Sequence, residues 1–120
     1  MNQLYQQGLS IRFLFILWLC LFALLLGIHH EIFFAIHIES GDGAANSLLI
    51  QQAKTFNLLT GNYSRIGFYH PGPAILYVLA AGEFLFFDWL SIVPSPFSGQ
   101  LIAVVIYNAF FITLFFNIQE

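Results

Sequence analysis

Between Arg12 and Glu31 the chain carries no Asp, Glu, Lys or Arg, and most of that stretch is Leu, Phe, Ile or Trp. A run of about 20 such residues is long enough for a helix to cross the hydrocarbon core of a bilayer. Two further apolar runs follow, from about Pro73 to Val93 and from about Ser98 to Ile118. The chain has 120 residues, is 59% hydrophobic and 18% aromatic, and includes 15 Phe. A soluble domain of this size has too little interior to hide that much apolar surface. The sequence therefore reads as an all-α polytopic membrane protein. It would have one membrane domain over residues 1–120, with three transmembrane helices at about 11–30, 73–93 and 98–118. Pro73 suits the first turn of the second span, and Pro94 and Pro96 mark its end. Only Gln119 and Glu120 follow the third run. That reads as the N-terminal part of a longer chain, a fragment not active on its own.

Several classes are disfavoured at once. The net charge is −3 and the only Lys or Arg residues are Arg12, Lys54 and Arg65. With no basic patch, nucleic acid is not an expected partner. Cys20 is the sole cysteine, so no intrachain disulfide forms, and it reads as apolar filling of the first span. One positive charge before the first run, and no small-x-small site after it, favour a retained signal anchor over a cleaved signal peptide. Arg12 lies before the first span and Lys54 and Arg65 lie in the first loop, so the charge count gives no orientation.

The loop over residues 39–72 is long enough to carry structure or function. Residues 44–60 read as an amphipathic helix, with Ala45, Leu48, Leu49, Ala53, Phe56 and Leu59 on one face. Ile50 and Leu58 blur the boundary. Gly61-Asn62 supplies a stop signal, and such a helix between two spans suits the membrane interface. Asp42 stands just ahead of it and reads equally well as an N-cap. Glu39 lies three residues earlier. Brought together by Gly41 and Gly43, the two acids would hold a divalent cation or form an acid/base pair. His30 and His37 share a helical face, but their spacing is not that of a metal site. His70 precedes Pro71 and is held extended. Asn62-Tyr63-Ser64 matches a glycosylation sequon, a match common by chance. Glu83 falls near the middle of the second run, where a carboxylate is a functional candidate by default. Asp88 follows it by five residues, which on an α-helix puts the two acids on different faces.

The order of these parts resembles the start of GT-C superfamily glycosyltransferases. The resemblance lies in Gly41-Asp42-Gly43-Ala44-Ala45, in Ala53 to Tyr63, and in Gly67-Phe68-Tyr69-His70-Pro71-Gly72-Pro73, and it covers roughly residues 10–95. Members often carry an adjacent acidic pair where this chain has Asp42 followed by Gly43. The resemblance implies an integral membrane enzyme of many spans, set in a bacterial inner or plasma membrane with loop 39–72 extracytoplasmic. It would move a sugar from a polyprenyl-phosphate-linked donor to an acceptor, with membrane lipids and the remaining transmembrane helices as partners. It implies Asp42 as catalytic base with Glu39 as helper, the same two acids as ligands of a Mg or Mn ion, and Lys54, Arg65 or His70 on the donor phosphate. The alternative is a non-catalytic small membrane protein, or a transporter or channel subunit that uses Glu83.

Overall fold

The computed structural model describes residues 2–62, 66–67 and 72–118. Among them the chain is all-helical: α1 (Asn2–Ile28), α2 (His30–Phe34), α3 (Asp42–Lys54), α4 (Ala74–Gly82), a π-helical run (Glu83–Trp89) and α5 (Pro96–Ile118). These fall into two compact units, residues 1–31 with 105–120, and residues 32–104.

The first unit holds α1 and the second half of α5. Nothing in α1 interrupts the apolar run, and none of Ile11–Ile28 is buried. The helix closes with His29 N–H donating to the Leu25 carbonyl at 2.8 Å. His29 and His30 sit beside Glu31, at 3.8 and 3.5 Å, on an exposed polar corner. Within the second half of α5, Thr113 Oγ1 donates back to the Ala109 carbonyl at 2.8 Å, so its hydroxyl is satisfied inside the helix.

Two helices, over Ile11–Ile28 and Pro96–Phe115, are long and apolar enough to cross a membrane. The run at 73–93, expected to be a third, is not. It forms the short α4, changes to π geometry at Glu83 and ends at Trp89. Even at the α-helical rise, residues 74–89 reach only about 24 Å, short of the ~30 Å hydrocarbon core. Ser91 then takes φ 51, which breaks the helical path ahead of Pro94. Pro96 opens α5 instead of closing the helix before it. Ser95 caps that helix: its Oγ accepts from Ser98 N–H at 3.3 Å and lies 2.9 Å from Ser98 Oγ.

In the second unit α3 packs on α4 through Ile50, Ala53, Leu58, Leu76 and Ala80, with Leu49, Tyr77 and Leu79 against them. α3 starts and stops earlier than the sequence suggests. Gly41, at φ 58 and ψ −125, occupies the cap position and Asp42 is the first helical residue. That backbone conformation is open to glycine and closed to other residues. At the other end Phe56 N–H donates to Ala53 and Asn57 N–H to Gln52, at 2.9 and 3.1 Å. This is a Schellman turn, and Phe56 holds its left-handed position at φ 58. Placing a bulky residue there costs about 1–2 kcal/mol. Phe56 stacks on Tyr77 with centroids 6.0 Å apart, and the Tyr77 hydroxyl donates to the Leu58 carbonyl at 2.9 Å. The chain is thus turned at Phe56, before Gly61 is reached.

α4 and α5 meet backbone to backbone at Gly82 and Gly99. A methyl group on Gly82 would lie 2.3 Å from the Ala103 Cβ and 2.5 Å from the Gly99 carbonyl oxygen. One on Gly99 would lie 2.9 Å from the Gly82 oxygen. Small residues allow this approach, as in membrane helix pairs. Gly82→Ala is expected to destabilise the protein by about 1–3 kcal/mol, the usual cost of overpacking. Gly27→Ala, with nothing within 4 Å of the added carbon, is the control. Thermal unfolding of both variants in detergent checks this, and equal midpoints would refute the close crossing.

Candidate functional site

The Gly82–Gly99 contact brings the next residue of each helix, Glu83 and Gln100, into the same interior. Glu83 is 1% exposed and Gln100 6%. A carboxylate taken out of water needs donors for both oxygens. Glu83 Oε1 accepts from Gln51 Nε2 at 2.7 Å and from Lys54 Nζ at 2.9 Å, both on α3. Glu83 Oε2 accepts from Gln100 Nε2 on α5 at 2.9 Å. One side chain therefore ties α3, the start of the π-helical run and α5 together.

Lys54 is also paired with Asp88. On an α-helix, residues five apart point about 140° away from each other. In a π-helix the i→i+5 hydrogen bond brings them into line. The π-helical run thus puts Glu83 and Asp88 on the side facing Lys54, which corrects the expectation of different faces. Leu90 N–H donates to the Leu85 carbonyl at 3.0 Å, a bond of this i→i+5 kind. Asp88 keeps a third of its side chain in solvent, whereas Glu83 keeps almost none. Burial draws the Lys54 ammonium towards the neutral form, but its hydrogen bonds to Asp88 and Glu83, with their charges, outweigh this and raise its pKa.

Of the expected site residues, Glu39, Asp42 and Lys54 are among the described residues. Glu39 lines a cavity of about 430 Å³ together with His37, Ser40, Asn46 and Gln100 on the polar side. Ile38, Ile50, Leu79, Phe97, Leu101 and Val104 form its apolar side. Ser47 Oγ donates to Glu39 Oε2, which folds the acid back over the first turns of α3. His37 Nε2 lies 2.8 Å from the Ile32 carbonyl, and its ring tilts against Phe97 with centroids 4.8 Å apart. Asp42, exposed in the first turn of α3, does not line this cavity. Among the described residues no group of three or more His, Cys, Asp or Glu side chains is placed to hold a metal ion. No chemical step is routed through a metal ion. Lys54, expected on a donor phosphate, is taken up by Glu83 and Asp88. Arg65 and His70 lie outside the described residues.

Gln51 and Gln100 carried no signal in the sequence, because glutamine is an ordinary helical residue. The clue available was Glu83 itself, since a carboxylate in an apolar run implies donors on the neighbouring helices.

Comparison of the chain with protein-family models, with characterised proteins and with solved structures yields no match.

Breaking a buried ion pair by removing one partner costs about 3–5 kcal/mol, because the other charge is left behind. Lys54→Met is expected to destabilise by that order, and adding Glu83→Gln to recover part of it, as chemical denaturation in detergent would report. The raised Lys54 pKa sets an alkaline limit. Its contribution is complete below the unfolded lysine value of about 10.4 and is lost as pH rises through the higher folded value. The unfolding midpoint of the native protein should fall above that pH more steeply than that of Lys54→Met.

Proposed function

We propose that this chain is part of an integral membrane glycosyltransferase of the GT-C type, moving a sugar from a polyprenyl-phosphate donor to an acceptor on the extracytoplasmic face. The observation that supports this reading is the Glu39 cavity. A carboxylate, a hydroxyl and two amides face a wall of aliphatic and aromatic side chains. Such a surface suits the junction between a polar group and a lipid tail. The apolar helices α1 and α5 supply the membrane setting, with α1 unburied over its whole apolar window. In this reading loop 39–72 lies outside a bacterial inner or plasma membrane, and membrane lipids and further transmembrane helices complete the site.

Within this proposal Glu39 takes the role of base and Asp42 that of a nearby supporting charge. Ser47 occupies Oε2 of Glu39, which leaves Oε1 to accept a proton. The acceptor hydroxyl gives up that proton as its oxygen attacks the anomeric carbon. The bond from that carbon to the phosphate oxygen breaks, and the polyprenyl phosphate leaves with the electron pair. Attack from the opposite face inverts the configuration. A basic group or a Mg or Mn ion on the leaving phosphate is what the family pattern implies. In the described residues Lys54 is committed elsewhere, so Arg65 and His70 carry that part of the proposal.

The transporter reading has less support. Three donors from two helices already fill the Glu83 carboxylate, an arrangement that fixes a structure. In the full-length protein in proteoliposomes, Glu39→Gln is expected to lower sugar transfer by about 10²–10⁴-fold, the usual weight of a general base. Asp42→Asn should cost less. Unchanged turnover in Glu39→Gln, with insertion intact, would sink the assignment, and a larger loss in Asp42→Asn would return the base to Asp42.

A further inference from the structure

The Glu83 network and the Glu39 cavity share one residue, Gln100. A primary amide has a donor end and an acceptor end, and nothing in the helix backbone decides which faces the cavity. Glu83 decides it. A carboxylate only accepts hydrogen bonds, so Gln100 turns its Nε2 to Glu83 Oε2, at 2.9 Å. The carbonyl end is then what Gln100 has left to offer the cavity it lines. Gln51 and Lys54, on Oε1, hold Glu83 in this acceptor role from the other side.

The cavity accordingly offers two fixed acceptors, the Gln100 carbonyl and the free oxygen of Glu39. Among the described residues no Lys or Arg lines it. A phosphate placed there would meet a carboxylate and an acceptor carbonyl, while the basic side chain in the lining, His37, already has its Nε2 2.8 Å from the Ile32 carbonyl. A hydroxyl group donates to both acceptors without that penalty. Asn46 and Ser40 can then give or accept the remaining bonds. Phe97, Leu101, Val104 and Leu79 leave the rest of the wall apolar.

We infer that the Glu39 cavity takes a neutral, hydroxyl-bearing headgroup of an amphiphile and turns away its phosphate, and that Glu83 is a positioning residue that acts through Gln100. This deepens the functional proposal and rests on it only in treating the cavity as the ligand site. A phosphate-linked substrate would place its hydroxyls here and its phosphate outside the cavity.

Photo-labelling tests the inference without any transfer reaction. The full chain in phosphatidylcholine vesicles is exposed to two diazirine-tagged amphiphiles of equal chain length: an alkyl glucoside and an alkyl phosphate. The glucoside should label the peptide holding Phe97 to Val104 about tenfold more than the phosphate probe. Gln100→Leu and Glu39→Gln should each cut that labelling about tenfold, the value of one hydrogen bond to a committed acceptor. Glu83→Gln, which frees the Gln100 amide to turn over, should narrow the preference of glucoside over phosphate. Should Glu83→Gln fail to fold, as circular dichroism would report, Gln100→Leu decides alone. Equal or stronger labelling by the phosphate probe overturns the inference, as does glucoside labelling unchanged in Gln100→Leu. A chain that takes the glucoside but never transfers sugar sinks only the enzyme reading. A chain that transfers sugar while its cavity takes the phosphate sinks only this inference.

Discussion

The second unit depends on a carboxylate that has no water to answer it. Glu83 stands inside an apolar helix and is almost fully buried. Its charge is tolerable only if donors from other elements reach both oxygens. Gln51 and Lys54 do so from α3, and Gln100 does so from α5. Apolar packing of Ile50, Ala53, Leu76 and Ala80 holds α3 against α4, but packing of that kind permits sliding. The directional bonds to Glu83 remove that freedom and fix the rotation of α3 about its own axis.

The π-helical run follows from the same requirement. Lys54 sits opposite a stretch that must supply it with a second acid as well as Glu83. In α geometry Asp88 would point about 140° away from Glu83. Widening the turn over Glu83–Trp89 brings Asp88 round to the ammonium. The π-helical run ends at Trp89, and Ser91, at φ 51, turns the chain away before a membrane span is complete. Of the two acids that meet Lys54, Asp88 is the one that still meets solvent.

Much of this was legible in the sequence, but the phase of α3 was not. The chain showed its all-helical character, its unbroken first run and the oddity of Glu83. It did not show which face of α3 turns inward. Ranking by apolarity put Leu48 inside and left Ile50 at the boundary, yet Leu48 is 69% exposed and Ile50 1%. The inward stripe is Asn46, Ser47, Ile50, Ala53 and Lys54, at helical spacing, with polar residues at both ends of it. Those polar residues face in because Glu39 and Glu83 are there to meet Ser47 and Lys54. A hydrophobic-face argument fails when the interior is itself charged, since burial then follows charge complementarity. The end of α3 was obscured for a related reason. Gly61 is the natural residue for a left-handed stop, but Phe56 takes that position and packs its ring on Tyr77.

Glu39 and Asp42 illustrate how a three-residue separation becomes a difference in surroundings. The two acids flank a glycine at φ 58 that only a residue without a side chain tolerates well. That kink starts α3 at Asp42 and leaves the acid exposed in the first turn, where the helix dipole favours a negative charge. Glu39, one turn back along the chain, is bent over the helix by Ser47 and faces the cavity. The backbone at Gly41 thus sends the two acids of one loop into different surroundings. Lys54, on the same helix, is held between Glu83 and Asp88. A lysine that must neutralise a buried carboxylate cannot also be surrendered to a phosphate without leaving Glu83 uncompensated, a loss larger than one exposed phosphate contact returns.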